Sequence, residues 1–148
     1  MRTVPRRLVL LTPALALLAA CGADGGSSGS ASSGASGGGL TDNGAELDAQ
    51  GFAERVGEPG TVVVDVRTPG EFAAGHLQDA VNLDLQSADF GDRFAELDPG
   101  VRYAVYCQSG NRSGQAMARM LDEGFTDVAH LQGGIGAWQS AGLPVVTG

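Results

Sequence analysis

The sequence predicts an α/β fold, a layered sandwich with a mainly parallel central sheet. Three observations predict it. Short apolar runs at Thr61–Val66, Arg102–Tyr106 and Val128–Leu131 alternate with stretches of helical apolar spacing. Capping residues precede those stretches and glycines follow them. The run Val62-Val63-Val64 is continuously apolar, as in a central parallel strand covered on both faces.

Taken in order, Asp48 caps a predicted helix over 49–57, with Phe52 and Val56 on one face and Gly57 at its end. Thr61–Val66 is the first strand. Thr68 then Pro69 reads as a cap followed by a first-turn proline, opening a short helix that runs to Ala74 and stops at Gly75. Asp79–Leu83 is a second short strand. Ser87 is the expected cap of a helix over 88–96, with Phe90, Phe94 and Leu97 on one side. Pro99-Gly100 turns the chain into the strand Arg102–Tyr106. A loop opens at Cys107, and a helix follows over 111–123. Ala116, Met117, Met120 and Leu121 form its apolar stripe, and Gly124 is its stop. Val128–Leu131 is the last strand. Gly133-Gly134 leads into a closing helix carrying Ile135 and Trp138, with Trp138 expected in the core. Gly142 ends that helix, and Leu143-Pro144-Val145 is extended.

The N-terminus reads differently. Arg2, Arg6 and Arg7 precede an apolar stretch from Leu8 to Leu18, broken by Pro13 and too short to span a bilayer. Leu18-Ala19-Ala20-Cys21 then matches a bacterial lipobox, so residues 1–20 are expected to be a lipoprotein signal peptide and Cys21 the diacylated new N-terminus. Residues 22–39 hold eight Gly and six Ser and predict a flexible tether spanning about 25 Å. The expected domain is 40–148, and its location is extracytoplasmic, lipid-anchored to the cell membrane. After signal removal six basic residues face seventeen acidic ones, a net charge of −11, and there is no lysine. That charge argues against nucleic acid and against electrostatic adhesion to anionic lipid, leaving the acyl group as the membrane link. With Cys21 acylated, Cys107 is the one remaining thiol, and the fold cannot be a disulfide scaffold.

Sites in parallel α/β sheets form at the carboxyl ends of the strands, where Cys107 and Arg67 both lie. A thiolate needs hydrogen-bond donors and a positive field. The segment Cys107-Gln108-Ser109-Gly110-Asn111-Arg112-Ser113-Gly114 offers both. Gly110 lets the backbone curl into an anion nest, the following helix adds its positive end, and Arg112 adds a bidentate fork for an oxyanion. A lowered Cys107 pKa is therefore predicted. The plainer alternative, a buried cysteine acting as apolar filler, does not call for Gly, Asn and Arg beside it.

Four stretches then resemble the single-domain rhodanese family, a thiosulfate sulfurtransferase-like module. They are Val63-Val64-Asp65-Val66-Arg67 with Glu71-Phe72 and Gly75-His76; Ala80-Val81-Asn82; Tyr106-Cys107 through Ser113; and Leu131-Gln132-Gly133-Gly134 with Trp138 and Gly142-Leu143-Pro144-Val145. The resemblance covers about residues 44–146 and implies the rhodanese-like three-layer sandwich. It also implies that Cys107 takes the outer sulfur of a donor such as thiosulfate, becomes a persulfide and passes the sulfur to a thiophilic acceptor, a thiol or cyanide-like species. The amides of residues 108–112 (Gln108, Ser109, Gly110, Asn111, Arg112) would cradle that sulfur, and Arg112 would hold the anionic donor. No metal or organic cofactor is implied. The family includes phosphatases with five residues between Cys and Arg; here four intervene, which favours sulfur transfer. The alternatives are a non-catalytic or sulfur-sensing tethered binding module and a redox partner of an unidentified acceptor protein.

The remaining candidates read as supporting residues. Asp65 and Arg67 are expected to form an ion-pair network at a strand end, together with Glu71, more than to touch substrate. His76, at a helix end, is expected to bond to backbone carbonyls. His130 is expected to be a strand or surface residue. Two isolated histidines beside one thiol predict no metal site. The glycosylation sequon Asn111-Arg112-Ser113 falls inside the anion loop and reads as coincidence.

Overall fold

A computed structural model describes residues 43–148. The expected signal peptide, Cys21 and the linker lie outside the described residues. Ten elements follow one another: β1 (Ala45–Leu47), α1 (Ala49–Gly57), β2 (Thr61–Asp65), α2 (Pro69–Ala74), β3 (Val81–Asn82), α3 (Phe90–Ala95), β4 (Arg102–Tyr106), α4 (Asn111–Asp122), β5 (Val128–Leu131) and α5 (Gly134–Ser140). The strands form one sheet in the order β1-β5-β4-β2-β3, and every pair is parallel. The sheet is thus wholly parallel, not only mainly so. Its middle strand is β4, and β2 sits one place toward the β3 edge.

The helix starts follow from local chemistry. Asp48 accepts the Gly51 amide at 2.8 Å and caps α1. Thr68 and Glu71 close a reciprocal capping box on α2, with Pro69 as the first helical residue. Several boundaries differ from expectation. The strand expected over 79–83 narrows to Val81–Asn82, and the first strand ends at Asp65. The helix expected from 88 begins at Phe90, because the Ser87 hydroxyl bonds to Asp89 and accepts its amide at 3.2 Å. A serine used in a local turn no longer caps the helix. Strand β1 was not anticipated: three residues between Gly44 and Asp48 carry no readable period, and the strand exists by pairing with β5.

Alternate strand residues feed two apolar layers, as parallel strands covered on both faces require. Val64, Tyr103, Val105, Cys107 and Val128 pack with Phe90 and Phe94 of α3 and Ala116 and Met120 of α4. Val63, Ala104, Tyr106 and Leu131 pack with Phe52 of α1 and Ile135 and Trp138 of α5. Phe52 meets both Tyr106 and Trp138 edge to face, at 6.5 and 6.2 Å between ring centroids. Trp138 is a core residue as expected, and its indole N–H donates to the Pro144 carbonyl at 2.8 Å. Cys107 therefore leaves the carboxyl end of the middle strand between two filled layers.

Candidate active site

Cys107 follows β4 directly and is fully buried. Burial alone would fit an apolar filler, but the sulfur is surrounded by donors. The Gly110 amide donates to Sγ at 3.1 Å, and the Ser113 hydroxyl lies 3.5 Å from it. Gly110 takes φ +96°, and a Cβ there would come within 3.2 Å of the Gly133 amide nitrogen. Only glycine suits both the left-handed turn and that close approach. Gly110 also occupies the cap position of α4 without a side chain to fill it, so first-turn amides remain available to the sulfur. Burial pushes the thiol up. The Ser113 hydroxyl and the amides of Ser113, Ser109 and Gly110 outweigh it, holding Cys107 below the ordinary thiol value. The cradle expected from residues 108–112 is thus shifted: Ser113, beyond that range, supplies two of the donors.

Arg112 is half-buried and already engaged. Its two terminal nitrogens donate to the two Glu71 oxygens at 2.8 and 2.7 Å, a bidentate pair joining α4 to α2. The same Glu71 carboxylate accepts the Thr68 amide at 3.1 Å. Glu71 thus belongs with Arg112, not with Asp65 and Arg67 as the sequence suggested. The bonds to Arg112, offset in part by burial, hold the Glu71 carboxyl down at about 2. Because this value is depressed in the fold, the pairing is complete above the ordinary carboxylate range and is lost as pH falls toward about 2. The hydrogen bonds to Glu71, offset in part by burial, and then the charges of Glu71 and Cys107 raise the Arg112 pKa in turn.

Asp65 and Arg67 form a separate buried pair. Arg67 donates through Nε and Nη2 to the Asp65 carboxylate at 3.0 and 2.6 Å, and through Nη2 to the Gly75 carbonyl at 2.7 Å. Its remaining arm reaches the Gln108 side-chain oxygen at 3.4 Å, which ties the network to the Cys107 loop. Asn82 donates to the carbonyls of Asp65 and Arg67 at 3.1 and 2.8 Å, holding the chain as it leaves β2. His76 stands apart: its Nδ1 donates to the Phe72 carbonyl at 2.9 Å, its ring stacks on Phe72, and its backbone pairs with Val146. Gln108, Ser109 and Asn111 are exposed around the loop.

Three contributors escaped the sequence reading. Ser113 could have been found, since a hydroxyl in the first turn after an anion loop can turn back toward it. His130 lies behind Ser113, 6% exposed, with Nδ1 at 3.2 Å from its hydroxyl. Gly134 reads in the sequence only as the lead into the closing helix and as part of a family stretch; its close approach to the Cys107 and Gln108 carbonyls, where no Cβ fits, has no local signal.

Comparison with known proteins places this geometry. The sulfurtransferase of Allochromatium vinosum is 37% identical over 102 residues, covering 68% of this chain and 94% of that protein. The thiosulfate sulfurtransferase GlpE of Pseudomonas syringae pv. syringae is 42% identical over 89 residues, covering 60% of this chain and 81% of that one. Among solved structures, a rhodanese-related protein from Thermoplasma volcanium superposes with a TM-score of 0.63 at 28% identity, over 70% of this chain and 99% of that one. Residues 48–141 match the Rhodanese-like domain, and with the parallel sheet and the Cys107 loop in place the chain belongs to that family.

Proposed function

We propose that this protein is a sulfurtransferase that carries sulfane sulfur on Cys107. Its family and its sulfurtransferase-named relatives support a sulfurtransferase-type function. The observation that carries the finer reading is the buried Cys107 sulfur, held below the ordinary thiol value by Ser113, Ser109 and Gly110. In the proposed reaction the Cys107 thiolate attacks the outer sulfur of thiosulfate. A new S–S bond forms, the bond from that sulfur to the sulfonate sulfur breaks with its electron pair, and sulfite leaves. A thiolate or cyanide then attacks the outer persulfide sulfur, takes it, and returns the Cys107 thiolate. No external oxidant or reductant enters. The cradle donors stabilise negative charge on sulfur in both states.

Because Cys107 has no exposed surface, a donor reaches it only when loop side chains give way. Arg112 is the natural hinge. An incoming dianion competes with the Glu71 carboxylate for its fork. Incubation with thiosulfate followed by mass spectrometry tests the reading: Cys107 should gain one sulfur, which cyanide removes. Folded protein that takes up no sulfur would overturn it.

Arg112→Ala should raise KM for thiosulfate by roughly ten- to hundred-fold, the loss of a charge-assisted bidentate contact, with the fold retained. The same variant should raise the Glu71 pKa from about 2 toward the ordinary carboxylate range, with the Thr68 bonds still holding it somewhat low, read by carboxyl NMR titration. Unchanged thiosulfate kinetics would show that the backbone cradle suffices.

The proposal extends to placement. Cys21, diacylated and made the new N-terminus by signal removal, would anchor the domain to the extracytoplasmic membrane face through the Gly/Ser tether. Cys21→Ser should release the protein into the soluble fraction, and retention at the membrane would remove the anchor. An anchored domain with this single thiol passes its sulfur to an acceptor outside the chain.

A further inference from the structure

His130 is a buried, titratable side chain that the proposed reaction does not use. It lies on β5, one strand from Cys107, and the Ser113 hydroxyl separates the two. That hydroxyl has one proton and three acceptors within reach: Cys107 Sγ at 3.5 Å, the Gly110 carbonyl at 3.0 Å and His130 Nδ1 at 3.2 Å. Where the proton goes depends on the ring. With the ring proton on Nε2 alone, Nδ1 is an acceptor and competes with sulfur. With Nδ1 protonated, the ring donates to Ser113 Oγ and the hydroxyl proton is released to the sulfur side.

We propose that His130 is a positioning residue for Cys107, its protonation turning the Ser113 hydroxyl toward the sulfur. The role rests on the reading of Cys107 as sulfur nucleophile. Uptake of one proton from solvent makes His130 an imidazolium. Nδ1–H then donates to Ser113, Ser113 donates to the thiolate, and no covalent bond other than N–H changes. The surroundings suit this arrangement. Glu46 on β1, about half exposed, lies 3.7 Å from Nε2 and stabilises the charged ring at the solvent side. Helix α4 presents Ser113 and the bare backbone of Gly114, where an added Cβ would sit 3.5 Å from Cε1, so the ring is closely covered. On β4 the register partner of His130 is the apolar Val105, and the titratable group next along that face is Cys107, just past the strand end. Burial lowers the His130 pKa and Glu46 partly restores it, so the change falls on the acid side of the ordinary histidine range.

The test is the pH dependence of Cys107 alkylation by iodoacetamide in the full chain, followed on the Cys107 peptide by mass spectrometry. Wild type should show an acid-side inflection in addition to that of the thiol. His130→Leu should abolish it and, with the neutral ring's competing acceptor gone, leave the thiolate fraction at neutral pH at or above that of wild type. His130→Asn, whose amide N–H can donate to Ser113 at every pH, should raise the thiolate fraction at neutral pH above that of wild type without the acid inflection. Glu46→Gln, on the exposed sheet edge where folding is not at stake, should move the inflection to lower pH. A profile with the same acid inflection in His130→Asn, or unmoved by Glu46→Gln, would overturn the proposal even if His130→Leu fails to fold. Sulfur uptake from thiosulfate is measured alongside in wild type. Uptake without a His130-dependent profile sinks the positioning role and leaves the reaction standing; the profile without uptake sinks the reaction and leaves the His130 linkage.

Discussion

Cys107→Ser is expected to abolish sulfur uptake from thiosulfate, with transfer to cyanide falling at least about 10³-fold. The physical reason is specific to sulfur. The oxygen of serine cannot hold a sulfane sulfur as a stable intermediate, and its hydroxyl does not ionise near neutral pH. The donors that hold the Cys107 thiol below its ordinary value would still meet the serine oxygen, so that buried group stays hydrogen-bonded. Folding should therefore survive, with a melting temperature within about 8 °C of wild type, roughly 1 kcal/mol for a domain of this size. In wild type, the rate of persulfide formation should inflect below about 8.5, the free-thiol value. The only other cysteine in the sequence is Cys21, so residual transfer by Cys107→Ser carrying sulfur at Cys21 would remove Cys107 from its role.

Gly134→Ala should be the most damaging substitution outside the loop. Gly134 takes φ +60°, and a Cβ there would lie 2.5 Å from the Gln108 carbonyl carbon and 2.6 Å from its oxygen, and would also strike the Cys107 carbonyl. All of these are backbone atoms, so no side chain can swing aside. The neighbouring amides are the reason for the close approach: Ile135 donates to the Cys107 carbonyl at 2.8 Å, and Gly136 to that of Gln108 at 3.4 Å. The start of α5 thereby holds the two residues that open the active loop. Left-handed strain of about 1–2 kcal/mol adds to an overpacking cost of about 1–3 kcal/mol. The expected loss is about 2–5 kcal/mol in denaturant unfolding, with a raised thiol pKa as the cradle shifts. Gly142→Ala is the control: φ +75° with nothing near an added Cβ, so it suffers the strain alone. Equal losses in the two variants would show that backbone contact at Gly134 is unimportant.

Most element ends were legible because their causes are local. Asp48, Thr68 with Pro69 and Glu71, and Gly124 act on amides and carbonyls within a turn of themselves. The apolar runs that became β2, β4 and β5 were legible for the same reason. Ser87 shows the limit of that logic, since a hydroxyl with two local options gives no sign of which it takes. β1 shows another: a three-residue strand is made by its neighbour in the sheet.

At the site, the sequence by itself located the candidate thiol and most of the loop around it, though not the Ser113 donors. Cys107, Gly110, the helix after it and Arg112 lie within a few residues of one another, so turn chemistry and helix polarity bring them together. Only the tertiary structure decided the partners. Glu71 meets Arg112 across 41 residues, and His130 meets Ser113 across 17. Gly134 reaches the Cys107 carbonyl from a different element. Such contacts depend on strand order and on parallel register, and a one-residue slip would turn His130 away from α4 and into the opposite layer. Register is set by packing both faces of the sheet at once, and no local stretch of sequence encodes that.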